Sequence, residues 1–257
     1  MRILAWDTSS KTGAVVAFEL DGTRLEIKSE WTLNVEAVHS EQLLWAIDQI
    51  LKSVRWSINE IDAFGVGTGP GSFTGLRIGL TTARTMADRL EKPLVGVSSL
   101  AGLLWGATRI FSATHPSANP LIIAATDAAK GEVFASMARP SDWGAEPLEE
   151  AAVSPEVLVS KIEKALLDDS DLQYLTVGSG TLIYPEEWER LPQDRRIQAD
   201  LPMMHAVQGR YLAERVTQKY LSEGGESALE VKPRYLRASA AELKLEKGLL
   251  PPGPTRG

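Results

Sequence analysis

Between residues 64 and 90 the chain reads FGVGTGPGSFTGLRIGLTTARTMADRL, and this stretch narrows the choice of fold more than any other. Phe64 and Val66 end an apolar run that reads as a buried strand. Gly67, Gly69, Pro70, Gly71 and Gly75 then follow in close succession. Glycines at that density suit a turn whose backbone takes positive φ or lets another group come close. A helix follows. At about 100° per residue, Leu76, Leu80, Ala83, Ala87 and Leu90 share one face, with Gly75, Gly79 and Met86 at its edge. The small residues at 75, 79, 83 and 87 make a flat stripe against which another helix or a sheet can pack closely.

The rest of the chain supplies partners for this unit. Residues 2–6 form a short apolar run that reads as a buried strand ending at Asp7-Thr8-Ser9-Ser10. Residues 13–20 and 24–33 read as two strands joined by Asp21-Gly22, a strong hairpin signal. A helix is predicted over residues 36–54, with Leu43, Leu44, Ile47, Ile50, Leu51 and Val54 as its core stripe. Val38 and Trp45 lie on the opposite side among Glu41, Gln49 and Lys52. An aromatic on a polar face either anchors a partner or is covered by a neighbouring loop. Beyond the glycine-rich helix come a strand over residues 93–97 and a helix over 98–110, capped by Ser98 or Ser99. Residues 112–120, with two prolines, are the expected link between two halves.

The second half opens as the first did. An apolar strand over residues 121–126 ends in Asp127, a small-residue turn (Ala128, Ala129, Lys130, Gly131) follows, and residues 132–138 make another strand. Strand, aspartate, tight turn and strand thus occur twice, a weak internal repeat of two related lobes. Residues 143–153 read as an acidic surface loop. A helix opens at Ser154-Pro155-Glu156, residues 174–177 form a strand, and a long helix spans about 204–222. The expected division is a lobe over residues 1–111, a second over 112–240, and a flexible Pro- and Gly-rich tail over 241–257.

Composition removes several chemistries. With 257 residues the chain suffices for one large domain or two lobes. It has no cysteine, which excludes thiolate chemistry and disulfides and points to a reducing cytoplasm. No apolar run suits a signal peptide or a membrane span. A net charge of −7 suits nucleic-acid binding poorly, so any RNA is expected to be held by a partner. The three histidines are His39, His115 and His205. His39 opens a helix, but Gln42 and Leu43 stand where a second metal-ligating histidine belongs, so no metal site is expected. Ser72 lacks the spacing of a nucleophile elbow, because Pro70 and Thr74 occupy its glycine positions. The glycine loop lacks the Lys-Ser/Thr ending of a P-loop, leaving anion binding at a helix N-terminus or plain strand-to-helix packing. Asp7 and Asp127 either line a cleft holding a magnesium nucleotide or cap turns.

Five segments taken in order resemble one family. They are MRILAWDTS at 1–9, HSEQLL at 39–44, GTGPGSFTGLRIG at 67–79, VGVSSL at 95–100 and DAAKGEV at 127–133. Together they resemble the TsaB (YeaZ) family, the dimerisation subunits of the bacterial tRNA threonylcarbamoyladenosine complex. Pro233-Arg234-Tyr235-Leu236-Arg237 is similar to that family's C-terminal segment. The resemblance covers residues 1–137 closely and the remainder loosely.

The resemblance implies an α/β protein with the two-lobed actin/sugar kinase/Hsp70-like (ASKHA) fold, each lobe a mixed sheet with helices. It implies a cytoplasmic, non-catalytic role: activating the TsaD-like subunit that transfers threonylcarbamoyl to the adenosine beside the anticodon. A TsaE-like ATPase joins them, tRNA is met only through the complex, and the chain alone pairs with a second copy. TsaD-like relatives carry a histidine pair where this chain has His39 alone. The docking surface implied is the first two helices, with Val38, His39, Gln42, Trp45, Gly75, Ile78, Gly79, Thr82 and Ala83. On that basis Trp45→Ala or Gly79→Leu should weaken partner binding and leave the fold intact. No catalytic residue and no obligatory cofactor are expected. ATP or ADP, if held, would sit in the cleft near Asp7, Ser9, Ser72 and Asp127 or at the partner interface. The alternatives are an ATP-dependent phosphotransferase of the same fold and, less in keeping with the residues, a peptidase.

Overall fold

The computed structural model describes residues 1–34, 40–142, 149–198 and 201–237, the side chains of residues 34, 40 and 41 excepted. Strand pleating organises the first sheet. β1 (Arg2–Asp7), β2 (Thr12–Asp21) and β3 (Arg24–Asn34) form an antiparallel meander. The β2–β3 turn depends on Gly22, whose φ is +58°. β4 (Ala63–Gly67) and β5 (Leu94–Val97) join in parallel on the far side of β1, giving the order β3-β2-β1-β4-β5. Successive residues point to opposite faces. Leu4 and Trp6 therefore enter an outer core, packed under α1 (Ser40–Val54) and α2 (Phe73–Arg89). Ile3 and Ala5 enter an inner core shared with α3 (Ser99–Thr114).

The second sheet repeats the pattern. β6 (Leu121–Asp127), β7 (Val133–Ala138) and β8 (Ala151–Val153) form an antiparallel meander, and β9 (Tyr174–Val177) lies parallel to β6. The order β8-β7-β6-β9 is that of β3-β2-β1-β4. Ile122, Ala124, Leu175 and Val177 face the inner core, and Leu121, Ile123 and Ala125 face a third core. That third core contains Leu158, Val159, Ile162 and Leu166 of α4 (Pro155–Asp168). Two single-turn helices, α5 (Gly180–Ile183) and α6 (Pro185–Trp188), follow β9, and Trp188 fills out the same core. α7 (Gly209–Glu223) then returns to cover β1, β2, β3 and β5 and to contact α3. The chain is thus layered as helices, sheet, helices, sheet, helices.

Several expectations are corrected. Leu44, assigned to the α1 core stripe, is 47% exposed, because the stripe is centred on Leu43, Ala46, Ile47 and Ile50. The long C-terminal helix begins at Gly209; the apolar residues before it, Met204 and Val207, are buried through a 3-10 turn at Pro202–His205. The segment read as an acidic loop contains β8, while residues 143–148 of it lie outside the described residues. Helix caps follow the sequence more closely. Ser98 and Ser154 cap α3 and α4 with their hydroxyls, and Pro155 begins α4.

Candidate functional site: the strand ends at Asp7 and Asp127 and the outer helices

β1 delivers Asp7 to the carboxyl end of the parallel β1–β4 pair, the region where open α/β sheets commonly bind ligands. Its carboxylate is fully enclosed. Oδ1 accepts hydrogen bonds from the Ser9 backbone N–H (2.8 Å) and the Ser9 hydroxyl (2.6 Å), and Oδ2 accepts one from the Ser99 hydroxyl. Ser99 is the first residue of α3, so the negative charge also lies at a helix N-terminus. The Ser99 hydroxyl in turn accepts the Gly69 N–H at 3.0 Å, and the Ser99 N–H donates to the Gly69 carbonyl at 2.9 Å. Gly67 closes the last side: a Cβ there would lie 1.8 Å from Asp7 Oδ2.

The glycine-rich loop is built around this centre. Gly69 has φ +93°, and the Gly69–Pro70 bond is cis. The Ser9 carbonyl accepts the Ser72 N–H at 2.7 Å, and the Ser72 hydroxyl caps α2 by accepting the Gly75 N–H. Asp7, Ser9 and Ser72, read from sequence as possible ligand contacts, are therefore brought together as one internal network. Asp127 stands at the matching place on the second sheet, exposed, where Oδ1 accepts the Ala129 N–H at 2.8 Å and caps the β6–β7 turn. Its own N–H donates to the Ser179 hydroxyl. Each aspartate accepts a backbone N–H two residues on, the geometry of a capped turn. Asp7→Asn is expected to cost about 2 kcal/mol, because the amide NH2 must face a hydroxyl or N–H donor inside a closed network. Urea denaturation would read this loss, and an unchanged midpoint would contradict the network.

Sequence reasoning missed Ser99 as the partner of Asp7 and missed a second buried carboxylate, Glu150. Ser98 donates its hydroxyl to Glu150 Oε1, and Arg234 Nε lies 3.4 Å from Oε2. Burial pushes the Glu150 carboxyl above its ordinary value, against the pull of Ser98 and Arg234. The only sequence-level sign of this arrangement is the Pro233–Arg237 motif. Among the described residues there is no group of three or more His, Cys, Asp or Glu side chains suited to a metal. No helix among them is long and apolar enough to cross a membrane.

The predicted docking residues separate into three groups. Val38 and His39 lie outside the described residues. Gly75, Gly79 and Ala83 are buried against this chain's own first sheet. Cβ atoms at 75 and 79 would lie 2.0 Å from the Thr8 carbonyl oxygen and 2.2 Å from Thr8 Oγ1. β1 and the residue after it even bond to the helix backbone there: Thr8 Oγ1 donates to the Gly75 carbonyl at 2.7 Å and Trp6 Nε1 to the Gly79 carbonyl at 3.0 Å. The third group faces outward. Gln42 and Trp45 are exposed, Ile78 and Thr82 half-buried. Trp45 is 56% exposed and meets the edge of Trp31, with ring centres 5.8 Å apart. Leu44 is also exposed, as is, at the start of α2, Phe73, which carries the Arg77 guanidinium at 3.9 Å and Tyr235 at 5.5 Å.

A duplicated mixed α/β protein, its strand-end carboxylate closed by its own hydrogen bonds and its first two helices bearing exposed aromatics, is the class so defined. Residues 34–245 match the family described as "TsaD: tRNA N6-adenosine threonylcarbamoyltransferase". The chain is 33% identical over 189 residues to the tRNA threonylcarbamoyladenosine biosynthesis protein TsaB of Escherichia coli, covering 72% of this chain and 74% of that one. It is 29% identical over 254 residues to the Haemophilus influenzae protein of the same description, covering 95% and 97%. The solved structure of YeaZ from Pseudomonas aeruginosa superposes with a TM-score of 0.70 at 26% identity, covering 91% of this chain and 99% of the other. The chain belongs to the TsaB (YeaZ) family, within the wider family named for TsaD.

Proposed function

We propose that this chain serves tRNA threonylcarbamoyladenosine biosynthesis as a non-catalytic scaffold subunit that binds and activates a TsaD-like catalytic subunit. The observation that carries the reading is the outward face of α1 and α2. Leu44, Trp45 and Phe73 stay exposed on neighbouring helices whose other sides are committed to the first sheet. Exposed aromatics of this kind are typical anchors of protein interfaces. The enclosed Asp7 supports the same reading, since its carboxylate oxygens already serve Ser9 and Ser99.

In this proposal each sheet with its helices is one lobe of an ASKHA fold. The chain passes between lobes near residue 112, the second lobe runs to about 240, and 241–257 form a tail. The same helical face pairs with a second copy when the catalytic subunit is absent. A TsaE-like ATPase completes the assembly, tRNA is engaged through the complex, and the site of action is the cytoplasm. The deciding experiment is threonylcarbamoyl transfer to tRNA by TsaD- and TsaE-like proteins of the same organism, with and without this chain, alongside sizing of the mixture. Transfer is expected only when the chain is added, together with a stable complex. Equal transfer without it would overturn the proposal.

A further inference from the structure

The carboxyl ends of β1 and β6, the edges at which parallel α/β strands commonly receive a ligand, are spanned here by the chain's own residues 231–237. Val231 is buried against Gly96, and its carbonyl accepts hydrogen bonds from the Arg84 guanidinium of α2. Three residues on, the Arg234 N–H donates to the Thr68 carbonyl at 2.8 Å, in the glycine-rich loop around Asp7. The Arg234 side chain reaches away from that loop to Glu150, whose carboxylate is almost wholly enclosed. Arg237 ends the segment on the second sheet: Nη1 donates to the Ala128 carbonyl at 3.0 Å and lies 3.2 Å from Glu132 Oε2. Ala128 is the residue after Asp127, in a turn where Ala129, Lys130 and Gly131 all take positive φ.

We propose that residues 231–237 are an intramolecular strap that locks the two sheets in one relative orientation across the ends of β1 and β6. The inner core joins the sheets through α3 and α7, but apolar contact is non-directional and lets packed layers slide or rock. The strap adds what that core lacks: anchors of fixed geometry on both sides of the gap. Its hold on the first sheet (Arg84–Val231 and Arg234–Thr68) uses backbone groups. Its hold on the second side combines two ion pairs, Arg234–Glu150 and Arg237–Glu132, with the Arg237 hydrogen bond to the Ala128 carbonyl, which fixes direction. Pro233 lowers the entropy lost when the segment is ordered.

Because the chain has no cysteine, spin labels can be placed uniquely. Thr85→Cys on α2 and Lys164→Cys on α4 put exposed labels on the outer helix layers of the two sheets. Electron–electron distance measurement on the full chain is expected to give one narrow distribution. Adding Arg234→Ala and Arg237→Ala, with Val231 and Arg84 untouched, is expected to broaden or split it. Amide exchange across residues 128–132 should rise at least about tenfold, while far-ultraviolet circular dichroism stays unchanged, as for local opening without unfolding. Arg237→Ala alone releases only the β6–β7 turn, so it guards against a fold lost in the double variant and is expected to give an intermediate broadening. A distribution and exchange pattern identical to the parent in both variants would overturn the proposal.

Discussion

Gly79→Leu is expected to lower the melting temperature by roughly 10 °C or to prevent folding. Overpacking a tight site costs about 1–3 kcal/mol and more where the neighbour cannot give way, and a chain of this size loses about 2–4 °C per kcal/mol. The neighbour at this position is Thr8 Oγ1, 2.2 Å from where the first side-chain carbon would stand. Thr8 cannot turn away without releasing its hydrogen bond to the Gly75 carbonyl, and the Trp6 bond to the Gly79 carbonyl is lost if α2 lifts off. Gly75→Ala tests the same contact with a single methyl, aimed at 2.0 Å from a backbone oxygen that has no rotamer to escape into. Thermal melts followed by circular dichroism would read both. A Gly79→Leu protein that melts like the parent and fails only in partner binding would support the docking role that the family resemblance implies.

Trp45→Ala is expected to have the opposite profile. The ring is more than half exposed, and it meets the edge of Trp31, so the free chain should lose about 1 kcal/mol or less. If α1 is the docking face, truncating a central aromatic anchor should cost about 2 kcal/mol of binding, or roughly thirtyfold in Kd for the TsaD-like subunit. Calorimetric titration of the parent and variant against that subunit measures the ratio directly. Unchanged affinity would remove Trp45 from the interface and leave the exposed Phe73, Arg77 and Tyr235 cluster as the surface to test next.

Local chemistry made much of this fold legible. Asp21-Gly22 fixed the β2–β3 turn, the apolar run at residues 2–6 marked β1 as a buried strand, and serines marked the starts of α3 and α4. What stayed hidden depends on residues far apart in the chain. A stripe of small residues announces a close neighbour without saying whether it is a sheet of the same chain or a helix of another. Ser99 and Asp7 are 92 positions apart, and Arg237 and Ala128 are 109, so no window of sequence contains either pair. β8 has three residues and exists because β7 offers it an edge. Leu44 fits a helical core stripe as well as Leu43 does, and only the position of β2 and β3 under α1 decides between them.

The return of α7 to the first sheet bears on how the chain is born. Five strands of that sheet are complete by Val97, yet Leu212, Ala213 and Val216, which cover its inner face, come more than a hundred residues later. At synthesis rates of about 5–20 residues per second, that apolar face waits on the order of ten seconds for its lid. A nascent chain in that interval offers an uncovered sheet to chaperones and to other nascent chains. The order of emergence therefore makes assembly a late, concerted event, and a polypeptide cut after Thr114 should be insoluble even though it holds every strand of the first sheet.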